Sequence, residues 1–159
     1  MITALAHTAL HVPDVEAAVA WYRDVLGLAV LSPPYRMDGA QIAADMAGLL
    51  PEPVVVKAAI VGVEGSDDRV IEVIEYPEAP AGAVEPASVL DYGFTHVGLV
   101  CDDVAATRET LEARGVGFLT SEIASVAGLR TTWFVDPWSN IFILLEKRAR
   151  TDAPYYRQY

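Results

Sequence analysis

Apolar residues recur along this chain with two periods, and the switch between them marks out its elements. Ile2 to Val12 is a short apolar run that reads as a strand. Beyond it, Val15, Val19, Tyr22 and Leu26 return at helical spacing, with Asp14 as the N-cap and Gly27 where a helix ends. Leu28 to Leu31 reads as a strand stopped by Pro33-Pro34. Gln41 to Leu50 places Ile42, Met46 and Leu49 on one face, which predicts a second short helix punctuated by Pro51 and Pro53. Val54 to Val63 is a strand, Gly65-Ser66-Asp67-Asp68 a turn, and Val70 to Tyr76 another strand.

Pro77 to Pro86 is rich in Pro, Ala, Gly and Glu and reads as a linker, after which the pattern begins again. Thr95 to Val100 is a strand, Asp103 a cap, Val104 to Arg114 a helix, and Gly115 its end. Strands follow at Val116 to Leu119, Arg130 to Val135 and Ile141 to Leu145, the last two joined by the turn Asp136-Pro137-Trp138-Ser139-Asn140. The chain is an internal duplication. HTALHVPDV from His7 lies over HVGLVCDDV from His96, and the same offset pairs Asp14 with Asp103 and Val15 with Val104. IEVIEY at 71–76 likewise lies over FILLEK at 142–147. The expectation is an α+β fold of two tandem βαβββ modules, together one incomplete, barrel-like cleft. The first module runs over 1–76 with an extra helix at about 41–50. A linker at 77–94, a second module at 95–147 and a tail at 148–159 complete one domain.

Composition narrows the classes. At 159 residues, one domain is the prior, and 53% hydrophobic with 21% charged residues is globular. The net charge of -11 argues against nucleic acid or an anionic membrane as partner, because phosphate contacts need clustered Lys and Arg. The one basic cluster, Lys147, Arg148 and Arg150, reads as a solvated strand end. Cys101 is the only cysteine, so no disulfide forms within the chain. The N-terminus lacks the features of a signal peptide, and no apolar run reaches the ~18–20 residues that span a bilayer. The expected setting is soluble and cytoplasmic.

Strand alternation sorts the chemistry-bearing residues by face. Thr8, Leu10 and Val12 pack on the helix, so His7, Ala9 and His11 face the cleft. In the repeat, Val97, Leu99 and Cys101 pack, while His96, Gly98 and Val100 face the cleft. His7 and His96 are thus pseudo-equivalent. Glu72 sits between Val70 and Ile74 on an apolar inward face, where a carboxylate needs a partner. Its counterpart in the repeat is Ile143. Glu146 aligns with Glu75, and both have the parity that faces away from the cleft.

Three stretches carry a family resemblance. HTALHVPDVEAAVAWYRDVLGL from His7 to Leu28, His96 to Val104, and DPWSNIFILLE at 136–146 resemble the vicinal oxygen chelate superfamily, the glyoxalase, bleomycin-resistance and extradiol-dioxygenase proteins. The resemblance covers nearly the whole chain. It implies the glyoxalase/bleomycin-resistance fold and a metal held by His7, Glu72 and His96. Two His and one carboxylate match a facial triad for a divalent Fe, Zn, Ni, Co or Mn ion. Family enzymes commonly place a further carboxylate where Ile143 stands here.

His11 lies about 13 Å along the strand from His7, too far to share a metal, and is a candidate catalytic base or substrate partner. The alternative is a satisfied, partly buried histidine. Tyr35 and Arg36, in a loop after the prolines, are candidate substrate contacts, Arg36 for a carboxylate or phosphate. Tyr92 is a candidate lid, and Trp133 and Ile143 candidate pocket walls, with packing the default for a Trp. Cys101 reads as buried and inert.

Two functions follow. One is a metal-dependent enzyme in which the metal chelates neighbouring oxygens of a small oxygen-rich metabolite, by dioxygenase or glyoxalase/isomerase-like lyase chemistry. The other is a metal-free small-molecule binder of the drug-sequestering, bleomycin-resistance type. The resemblance also implies a homodimer, and the aromatic PYYRQY tail at 154–159 reads as a docking segment.

Overall fold

The structure, a computed structural model, describes residues 1–66, 69–80, 82, 88–90, 92–126 and 129–146. Two compact units divide the chain, Met1–Ala83 and Val84–Tyr159. Each carries one open sheet with a helix packed on one face.

In the first unit, β1 (His7–His11) leads into α1 (Val15–Asp24), followed by β2 (Ala29–Met37), α2 (Ala40–Asp45), β3 (Val56–Gly62) and β4 (Val70–Glu75). The strand order is β1-β4-β3-β2, with β1 parallel to β4 and the other pairs antiparallel. The helix starts where Asp14 accepts from the Ala17 backbone N–H, which satisfies one of the amides left open at a helix start. Gly27, at φ 76, supplies the left-handed conformation that turns the chain out of it. Val15, Ala18, Val19 and Tyr22 recur on one helical stripe and are buried. They meet the side of the sheet that carries Ala59, Val61, Ile71 and Val73, all buried as well.

The second unit repeats the plan as β5 (Val97–Cys101), α3 (Val104–Ala113), β6 (Gly117–Phe118), β7 (Ala124–Val126), β8 (Leu129–Val135) and β9 (Ile141–Glu146). The order is β5-β9-β8-β6, with β7 also paired to β8. Asp103 caps α3 by accepting from the Ala105 and Ala106 amides. Phe134 and Phe142, both fully buried, stack at 5.0 Å under the helix. Arg108 crosses from α3 to the sheet, donating to Thr120 O and Thr132 Oγ1 with its guanidinium 4.5 Å over the Phe118 ring.

Several boundaries differ from those the sequence predicts. The first strand begins at His7, since Met1–Ala6 lie exposed and outside it. β2 does not stop at Pro33-Pro34. It runs through both to Met37, because an edge strand needs only one of its two sides for pairing and absorbs prolines at its register shifts between Val30 and Tyr35. Tyr35 and Arg36 therefore lie in a strand, paired with Ala58 and Lys57, and not in a loop. The second helix is six residues long with no buried residue, so nothing apolar extends it to Leu50. β7 has three exposed residues, too few for alternation to reveal it. Asp67 and Asp68 of the turn, most of 81–87, and Lys147 to Tyr159 lie outside the described residues. No helix among the described residues is long and apolar enough to cross a membrane.

Candidate functional site

Each sheet has one face covered by its helix and one that is not. Register places the chemistry on the uncovered faces. In the first unit, Ala9, Glu72, Ile60 and Ser32 form one row across the sheet, and His11, Ile74, Ala58 and Tyr35 the next. His7 is paired with Val70 at the other side of the Glu72 row. Its imidazole reaches diagonally across to Glu72, Nε2 to Oε2 at 3.3 Å. The carboxylate is mostly shielded, with a side chain 20% exposed, while the histidine stays half open at 49%.

At the far end of the same face, the His11 ring lies 4.8 Å from the Tyr76 ring. Burial pushes the Tyr76 phenol above its ordinary pKa, and the Glu72 charge adds to the shift. Tyr76 is not among the candidates that the sequence pattern singles out. Its parity with Glu72 and Ile74 is the signal that could have found it.

In the second unit the uncovered face is apolar. Gly98, Ile143 and Trp133 form one row, and Val100, Leu145 and Thr131 the next. Ile143 faces Gly98 as Glu72 faces Ala9, so the register itself pairs the isoleucine with the glutamate. His96 packs edge-on against Trp133 at 4.7 Å. Its Nδ1 is 2.8 Å from Thr95 Oγ1. A hydroxyl on Nδ1 fixes the ring's orientation and leaves Nε2 as the ligating or donating atom, the arrangement that supporting contacts give to metal-bound histidines.

Glu75 and Glu146 point to the helix side. Glu75 accepts from the Val15 amide at 3.0 Å and Glu146 from the Val104 amide at 3.3 Å, so each supplies an acceptor to the first residue of a helix. Each also meets a cation from the adjacent strand, Lys57 at 3.3 Å and Arg130 at 2.8 Å. These carboxylates are structural. The same explanation covers the one cluster of three acidic groups among the described residues, Asp14, Glu16 and Glu75. Asp14 caps α1, while Lys57 bridges Glu16 and Glu75 and supplies the positive charge that the cluster requires.

The remaining candidates are dispersed. Tyr35 shares the His11 row and is 43% exposed. Arg36 falls on the opposite face, in register with Lys57, and its guanidinium is engaged by Asp38 at 2.9 Å. It borders an open hollow of about 560 Å³ beside α2, on which Asp38, Glu52 and Glu78 also border. Tyr92 stands fully exposed. Cys101 is half-buried with its thiol pushed up by desolvation, which suits an unreactive residue.

The donor set fits a divalent metal. An imidazole nitrogen and a carboxylate oxygen 3.3 Å apart have the spacing of two ligands that each bind one cation at about 2.1 Å.

Comparison with known proteins agrees with the fold. The family model described as Glyoxalase/Bleomycin resistance protein/Dioxygenase superfamily matches residues 4–144. A glyoxalase family protein from Bacillus cereus superposes with a TM-score of 0.76 at 15% identity, over 92% of this chain and 95% of that one. An antibiotic-binding protein from Streptomyces sp. CB03234 gives 0.58 at 21% identity, over 91% and 96%. Glyoxalase I from Zea mays gives 0.64 at 19% identity, over 95% of this chain and 46% of that one. A comparison with curated proteins finds no match.

Proposed function

Because this chain belongs to the Glyoxalase/Bleomycin resistance protein/Dioxygenase superfamily, we propose that it binds a small oxygen-bearing molecule through a divalent metal, with His7 and Glu72 of the first unit as ligands. The observation that carries the reading is the 3.3 Å approach of His7 Nε2 to Glu72 Oε2 on an uncovered sheet face. A bound Zn, Fe, Ni, Co or Mn ion would supply Lewis acidity, or with Fe(II) the activation of oxygen, toward neighbouring substrate oxygens.

This chain's own residues do the rest. The Glu72 side chain is only 20% exposed, which raises the value of any cation beside it. Thr95 holds the His96 ring, and Trp133 limits its rotation. Ile143, the counterpart of Glu72 in the second sheet, offers no carboxylate there. A homodimer is part of the proposal, read by sedimentation.

One observation favours a second reading, a metal-free binder. The uncovered face of the second unit is apolar apart from His96 and Thr131, with Trp133 and Ile143 at its centre. Such a surface suits a hydrophobic ligand without any chemistry, and one structural neighbour is an antibiotic-binding protein. Cobalt substitution separates the two. With Co(II), the metal reading expects a visible d–d band at one equivalent that catechol, a vicinal-oxygen probe, perturbs and that Glu72→Gln loses. A featureless spectrum supports the metal-free binder.

A further inference from the structure

The hollow of about 560 Å³ beside α2 is bordered by none of the residues on the His7–Glu72 face. Its floor is apolar: Val54 and Val55 are buried there, next to Ala43 of α2. Its rim is acidic, with Asp38, Glu52 and Glu78 all exposed. Arg36, the one cation among the described residues that border it, is already held by Asp38 at 2.9 Å. Glu52 and Glu78 therefore have no cation on this rim. The helix beside it is unpartnered too, since α2 buries none of its residues and Leu49, just past its end, stands exposed. An apolar floor beside a helix with nothing packed on it is a surface that another segment completes. The chain holds one segment of the complementary chemistry. Lys147 to Tyr159, which follows β9 and lies outside the described residues, reads KRARTDAPYYRQY. It sets Lys147, Arg148, Arg150 and Arg157 against Asp152 alone, in a chain whose net charge is -11. It also carries Tyr155, Tyr156 and Tyr159. A guanidinium pairs with a carboxylate through two parallel hydrogen bonds, and a Tyr ring suits an apolar floor whose edge is wet. Fully extended, these thirteen residues reach over about 45 Å, enough to cross onto a neighbouring molecule.

We propose that the hollow beside α2 is the docking site for the 147–159 tail of a second copy of this chain, with the tail's arginines on Glu52 and Glu78 and a tyrosine ring against Val54 and Val55. Each copy has one tail and one hollow. Two copies therefore exchange tails reciprocally, and the contact closes as a two-fold dimer instead of growing into a filament. The inference rests on the homodimer proposed above and supplies its interface. It is independent of the metal at His7 and Glu72.

The test is a charge swap on the full chain, read by sedimentation over a range of protein concentrations. Glu52→Lys with Glu78→Lys reverses the rim, and Arg148→Glu with Arg150→Glu reverses the tail. Each double variant should keep the wild-type unfolding midpoint and weaken the dimer by about tenfold or more. The protein that carries all four changes should recover most of the wild-type affinity, because rim and tail are again of opposite charge. A general loss of structure would not recover in this way. A dimer that neither reversal weakens, or a fourfold variant no tighter than the doubles, overturns the tail contact while leaving the homodimer standing. A wild type that sediments as a monomer overturns the homodimer and this inference with it.

Discussion

His7 Nε2 lies 3.3 Å from Glu72 Oε2 across a parallel strand pair, and this contact organises the uncovered face of the first sheet. It is diagonal: His7 is in register with Val70, and Glu72 with Ala9. The contact thus depends on the β1–β4 register. A one-residue slip would send the histidine to the helix side.

Glu146 should prove more important for stability than its place near the end of a strand suggests. It accepts from the Val104 amide and from Arg130, with a side chain only 13% exposed. Glu146→Ala removes an acceptor from a largely shielded amide, a loss worth about 1–3 kcal/mol. Urea unfolding of wild type beside Glu146→Ala measures it. A difference below the scatter of the measurement would show that water replaces the carboxylate.

The caps predict an acid limb. Asp103 is held below its ordinary pKa by the Ala106 and Ala105 amides, in that order. A depressed folded-state value means stability that is complete above the unfolded-state value and is lost as pH falls through the folded one. The window therefore opens at ordinary carboxylate pH and extends downward. Asp103→Asn keeps an acceptor without the titration. Its unfolding midpoint should fall less steeply with acid across that window than the wild type's.

Two glycines in equivalent sheets should respond unequally to a methyl group. A Cβ on Gly62 would meet Leu31 Cδ1 at 3.0 Å and Val70 Cγ1 at 3.3 Å, whereas one on Gly98 would meet Leu145 and Ile143 at 3.6 and 3.8 Å. Gly62→Ala should be the less stable of the two, because Leu31 and Val70 must shift by a few tenths of an ångström, and Gly98→Ala should be neutral or better. Thermal unfolding of the two variants checks the ranking.

What is legible in the sequence is what short-range chemistry dictates. Asp14 and Asp103 each precede an apolar stripe, and Gly27 and Gly115 each end one, so local signals place both helices. Strand parity assigns His7 and Glu72 to one face and turns Glu75 and Glu146 to the other, because alternation is a property of any strand. The passage of β2 through Pro33 and Pro34 is hidden, since it depends on β2 being an edge, which is a fact about the sheet. The opposite faces of Tyr35 and Arg36 are hidden with it. β7 is hidden because its partner β8, and not its own sequence, creates it. Tyr76 escapes notice at the strand's end, where its contact with His11 arises only once β1 and β4 are paired.

The most direct test of the account is the metal content of protein purified without chelators or a histidine tag. Wild type should be measured by elemental analysis beside His7→Ala and Glu72→Gln. The account predicts near-stoichiometric Fe, Zn, Ni, Co or Mn in wild type and its loss in both variants. Wild-type protein that holds no metal, even after anaerobic reconstitution with each of these ions, would contradict it, and so would variants that keep the full amount.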